Sequence, residues 1–107
     1  THKFQGYALD TNLASVTATA TTTGNGTTYH AIYTWNSVTK VVTVIANNGT
    51  PVVSGALSGT PRTIDRIQIG SQSGGVDIVL DEVGVWNRIL TAGEITDLYN
   101  AGAGLFY

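Results

Sequence analysis

Cysteine is absent, which excludes disulfides, zinc thiolate sites and a cysteine nucleophile. Methionine is absent too, and the first residue is Thr1, so the expectation is a processed product or a piece of a longer polypeptide. Charge is scarce: 11% of the 107 residues, against about 25% in an average domain. The net charge is -2, with no block of Lys and Arg. That disfavours nucleic-acid binding through phosphate neutralisation. It also leaves no polybasic amphipathic helix for a membrane surface. No apolar run approaches the roughly 20 residues that a helix needs to cross a bilayer, so membrane insertion is not expected.

What remains is a chain long enough for one domain, 42% hydrophobic, with Thr, Ser, Asn and Gly in place of a charged surface. Such surfaces suit secreted, cell-surface or virion proteins. β-Branched residues dominate its first two-thirds and favour strands. Residues 4–9 read as a short strand. Residues 13–21 alternate Ser/Thr with Ala14, Val16, Ala18 and Ala20, the period of a half-buried strand. Gly24-Asn25-Gly26 is a turn, and 28–35 a strand with Tyr29, Ala31, Tyr33 and Trp35 on one face. Residues 36–39 turn the chain back into a strand over 40–46, and Asn47-Asn48-Gly49 is a further turn. A short edge strand is expected over 51–54 and an alternating strand over 64–69. Residues 70–75 read as a loop, and 77–86 as the longest strand.

One helix is expected. Thr91-Ala92-Gly93-Glu94 is a capping-box signature, with Thr91 as N-cap and Glu94 reaching back to it. Ile95, Leu98 and Tyr99 follow as an apolar stripe, Asp97 falls on the exposed side, and Gly102 is the expected C-cap. Short strands at regular spacing followed by one terminal helix predict an antiparallel sandwich with a small helical cap.

The stretch LDEVGVWNRILTAGEI at residues 80–95 resembles the closing motif of laminin-G-like jelly-roll domains, in the concanavalin A-like lectin/glucanase superfamily. HAIYTWN at 30–36, IQIG at 67–70 and GYAL at 6–9 resemble further strands of the same family. The resemblance implies an all-β, antiparallel jelly-roll sandwich. The family's opening strands, with their apolar-Phe-Asp-Gly segment, have no counterpart. Residues 1–107 are therefore expected to be the C-terminal part of a single domain, its opening strands missing or supplied from elsewhere. Taken alone, the chain is expected to be unstable or oligomeric, because bare sheet edges recruit partners.

Asp81 is the carboxylate of most interest. In a strand of period two it shares a face with Val79, Val83 and Val85, and a buried carboxylate is costly unless paired or coordinated. It is either a calcium ligand, possible calcium being the one cofactor the sequence suggests, or a structural acceptor of backbone N–H groups or of an Arg. Glu82, Gly84, Trp86 and Arg88 share the other face, where an Arg88–Glu82 ion pair is expected. Tyr29, Tyr33 and Trp35 have the chemistry of a sugar-stacking platform, but the alternation favours a core. Ala31, Tyr33, Trp35, Val83 and Val85 are accordingly expected between two sheets. Tyr7 and Tyr29 are the ligand-binding candidates.

Nothing points to catalysis. The two histidines, His2 and His30, are isolated, no nucleophile elbow is present, and Glu82 and Glu94 have structural explanations. Two N-glycosylation sequons, at Asn25 and Asn48, are matched by the abundance of Asn, Gly and Thr. The sequence predicts a non-catalytic, lectin-like binding module of a larger extracellular or virion protein, recognising glycans or a surface protein. The alternative is a structural element of a phage or cell-surface fibre or a capsid-decorating protein, held by the rest of the parent polypeptide or neighbouring chains.

Overall fold

The computed structural model describes residues 2–22, 28–63 and 79–103. Its strands are β1 (His2–Leu9), β2 (Ser15–Thr22), β3 (Ala31–Asn36), β4 (Val41–Ala46) and β5 (Val52–Val53). A helix, α1 (Ala92–Tyr99), follows and passes into a 3-10 turn, Asn100–Gly102. The described residues are thus mostly β: a two-stranded sheet, β1-β2, a three-stranded sheet, β3-β4-β5, both antiparallel, and one short helix. No helix among them is long and apolar enough to cross a membrane. The strands expected from period-two patterning in 4–9, 13–21, 28–35, 40–46 and 51–54 are present with shifted ends. β5 lies at a sheet edge, as its proline predicted. The turn at 24–26, the strand at 64–69 and the loop at 70–75 fall wholly or mainly outside the described residues.

Pairing follows the alternation. Phe4, Gly6 and Ala8 stand opposite Ala20, Ala18 and Val16. On the other sheet Trp35 pairs with Val42 and Tyr33 with Val44. The two inner faces meet: Ala18, Ala20, Val42 and Val44 form one buried cluster, with Phe4, Ala8, Val16, Trp35, Ala46 and Val52 packed against it. Val42 and Val44 are fully buried, and burying a valine contributes about 1.5–3 kcal/mol. The opposite face of β3-β4 carries Ile32 beside Ile45. There it joins Leu90 and Ile95 in a second cluster, with Leu98 against it. The central sheet is therefore covered on one face by the β1-β2 hairpin and on the other, around Ile32 and Ile45, by Leu90 and the Ile95 side of α1.

The β1-β2 and β3-β4 hairpins each turn on an Asx side chain. Asp10 Oδ1 accepts from the N–H groups of Asn12 and Ala14, each at 2.8 Å, while Leu13 takes a left-handed φ of 68°. Asn36 Oδ1 accepts from Val38 and Thr39, and Lys40 takes φ 58°. Asp and Asn favour such turns because the short side chain mimics a backbone carbonyl. Asp10 is 4% exposed. The chain after β5 laces onto this turn through Thr11 N–H to the Thr60 carbonyl, Arg62 N–H to the Leu9 carbonyl and an Asp10–Pro61 bridge. Gly59 lies so close to Asp10 that a Cβ there would collide with the carboxylate.

Four expectations are corrected. First, the described part of the 77–86 segment, from Val79 on, is not a strand. Glu82 takes φ 54° and its N–H bonds the Asp81 carboxylate at 2.9 Å, which breaks the extended repeat. Second, Val83 and Val85 are consequently exposed, at 55% and 67%; Ala31 and Tyr33 are exposed as well, and only Trp35 of the expected core set is half-buried against the first cluster. Third, Arg88 pairs with Glu94 rather than Glu82, since without a strand at 82–88 the two share no face. Fourth, the helix is closed by Asn100 (φ 47°, ψ 52°), whose N–H bonds the Thr96 carbonyl, two residues before Gly102. Asn tolerates the left-handed cap position, so glycine is not needed there. The N-terminal expectation holds: Thr91 is the N-cap and both arms of its capping box with Glu94 are made.

Candidate ligand-binding surface

β1 alternates Lys3, Gln5 and Tyr7 outward with Phe4, Gly6 and Ala8 inward. The outer row faces Thr21, Thr19 and Thr17 of β2. Gln5 Nε2 donates to Thr19 Oγ1 at 3.0 Å, so the face is a ribbon of hydroxyls and amides with Tyr7 standing on it, 61% exposed. Lys3 is its one charged side chain.

Tyr33 reaches β1 from the other sheet. It leaves the inner face of β3 and lies across Gly6, where a Cβ would collide with its ring. Glycine is required at this point because two strands and an aromatic ring approach too closely for any side chain. The Tyr33 hydroxyl donates to the Tyr7 carbonyl at 3.1 Å. That carbonyl points away from β2, in keeping with the Leu9 carbonyl two residues on, which is taken by Arg62 N–H. Tyr33 remains 46% exposed. Its phenol is pushed above the ordinary range, first by burial and then by the neighbouring Tyr7 phenol. Tyr7 and Tyr33 thus expose aromatic rings on either side of β1. Neutral aromatic faces beside hydroxyl and amide groups suit a ligand with an apolar face and a polar rim.

Of the residues predicted for ligand binding, Tyr7 is on this surface. Tyr29 precedes β3, is half-buried and already engaged in an interaction. The structure adds Tyr33, which alternation assigned to the core. The signal available in the sequence was Gly6, one residue before Tyr7. Asp81 is exposed, and its carboxylate accepts from the adjacent Glu82 N–H. No group of three or more His, Cys, Asp or Glu side chains is gathered among the described residues. The segment around Asp81 displays Val79, Leu80, Val83, Val85, Trp86 and Ile89, all partly to almost fully exposed.

Comparison with protein-family models, with curated proteins and with solved structures finds no match.

Proposed function

We propose that the chain is a non-catalytic, lectin-like binding module of a larger extracellular or virion protein, recognising a glycan or a surface partner across Tyr7 and Tyr33. The observation that carries this reading is a pair of exposed tyrosines joined at β1: Tyr7 stands on the outer face beside Gln5, Thr17 and Thr19, and Tyr33 lies over Gly6 with its hydroxyl on the Tyr7 backbone carbonyl. The apolar face of a pyranose packs on such rings, and its hydroxyls meet the amide and hydroxyl groups alongside. The resemblance of residues 80–95 to the laminin-G-like closing motif supports the same reading. On it, the two sheets are the described part of a jelly-roll sandwich. A glycan array probed with the parent protein tests the proposal. Binding to neutral glycans that is lost in Tyr7→Ala supports it, and an array blank for the intact protein counts against it.

The exposed aliphatic residues between Val79 and Ile89 favour a second reading, an assembly element whose apolar segment is covered by the rest of the parent polypeptide or a neighbouring chain. Light scattering discriminates: a monodisperse 107-residue monomer with cooperative unfolding argues against it. A calcium ion at Asp81 is a separate proposal. A melting temperature lowered by a chelator supports it, since removing a ligand bound only by the native state destabilises that state; an unchanged one leaves Asp81 structural.

A further inference from the structure

His30 sits where α1 meets the central sheet, immediately before β3. Its backbone is fixed on both sides. The His30 N–H donates to Asn47 Oδ1 at 2.9 Å, and its carbonyl accepts from Asn47 N–H at 2.8 Å. The main chain that carries the ring is therefore tied to the turn that follows β4. It lies against Tyr99 in the last turn of α1, ring centroids 5.8 Å apart and inclined by 41°. Nδ1 is buried and has no hydrogen-bond partner among the described residues. A neutral imidazole accommodates this by carrying its proton on Nε2, leaving Nδ1 as a bare acceptor. An imidazolium cannot, because both nitrogens become donors and a buried donor without an acceptor is costly.

We infer that His30 is a proton-sensitive latch: the neutral ring seats the C-terminal half of α1 on the β3-β4 face, and protonation lifts it. Among the described residues, the groups around the ring supply no compensation. From α1 the facing group is the Tyr99 ring, which offers Nδ1 no acceptor. From the turn after β4 it is Asn47, which is uncharged and spends its amide oxygen on the His30 backbone. Asp97 is exposed, and Glu94 is committed to Arg88 and Thr91. The leaving half is also lightly held. Ile95 is buried in the second cluster, but Leu98 and Tyr99 are half-buried, so the helix can pivot about Ile95.

Burial lowers the His30 pKa from the ordinary 6.5. The sign follows: seating is complete above about pH 6.5 and is lost as the pH falls through the lowered value. Lifting would withdraw Leu98 from the cluster of Ile32, Ile45, Leu90 and Ile95, loosening its cover only in acid.

Hydrogen exchange of the α1 amides, corrected for intrinsic rates and compared at pH 7.5 and 5.0 in the full chain, tests the latch. The open population is expected to rise, by up to about tenfold for each unit by which the His30 pKa is depressed. In His30→Phe, which keeps a ring against Tyr99 but has no proton to gain, the pH dependence should vanish. As a check that does not rely on a variant folding, the Tyr99 ring resonances of the wild type should titrate with the His30 midpoint, below pH 6.5. Equal protection at both pH values, a pH dependence that survives in His30→Phe, or Tyr99 resonances indifferent to His30 would each overturn the inference.

Discussion

Arg88 and Glu94 hold each other in a two-point grip: Nη1 donates to Oε2 at 2.8 Å and Nη2 to Oε1 at 2.6 Å. The same Oε2 accepts the Thr91 N–H at 2.8 Å, so one carboxylate closes the capping box and anchors the segment that leads into it. These bonds, the Arg88 pair first and the Thr91 N–H second, hold the Glu94 carboxyl at about 2, well below its usual 4.5. A depressed carboxylate stabilises the native state above its unfolded pKa and loses that contribution as the pH falls through the folded one. The loss here lies between about 4.5 and 2. Both side chains are largely solvated, so the effect on global stability is small. Arg88→Gln should move the Glu94 midpoint back toward 4.5 in a carboxyl carbon NMR titration. A midpoint that stays near 2 would show that the N-cap alone depresses it.

The buried carboxylate of Asp10 is the stronger structural claim. Asp10→Ala leaves the Asn12 and Ala14 N–H groups without their acceptor. The expected loss is about 1–3 kcal/mol in urea unfolding. Asp10→Asn retains an acceptor at the same position and should lose less. Equal losses for the two variants would mean that charge, not turn geometry, is what Asp10 supplies.

Leu13 is exposed and left-handed, a conformation that costs a side-chain-bearing residue roughly 1–2 kcal/mol. Leu13→Gly removes that strain, offset in part by the greater freedom of glycine in the unfolded chain. A net gain of about 0.5–1 kcal/mol is expected, read as a higher urea midpoint. A lower midpoint would assign Leu13 a packing role that its exposure denies.

The sequence shows these features unevenly, for physical reasons. The N-cap of α1 is legible because Thr91 and Glu94 act within four residues. β1, β2 and β4 are legible because a strand with one buried face must alternate. The segment from Val79 to Trp86 alternates as well, yet Glu82 turns left-handed and the pattern never becomes a strand. Periodicity reports what a segment can bury, whereas burial requires a facing surface. Tyr33 was hidden for the opposite reason: its place depends on Gly6, 27 positions away by their numbering, on a strand of the other sheet. Asp10 shows its role only once the chain near Gly59 and Pro61 closes over it.

The binding proposal rests on the ring of Tyr7, and its most direct test is calorimetric titration of a neutral glycan identified by array into wild type and Tyr7→Ala. Tyr7 projects from an outer sheet face and is 61% exposed, so its removal should leave the thermal unfolding curve unchanged. The account predicts at least about a tenfold loss of affinity, equivalent to about 1.4 kcal/mol, at unaltered stability. Undiminished affinity in a folded Tyr7→Ala protein would contradict it.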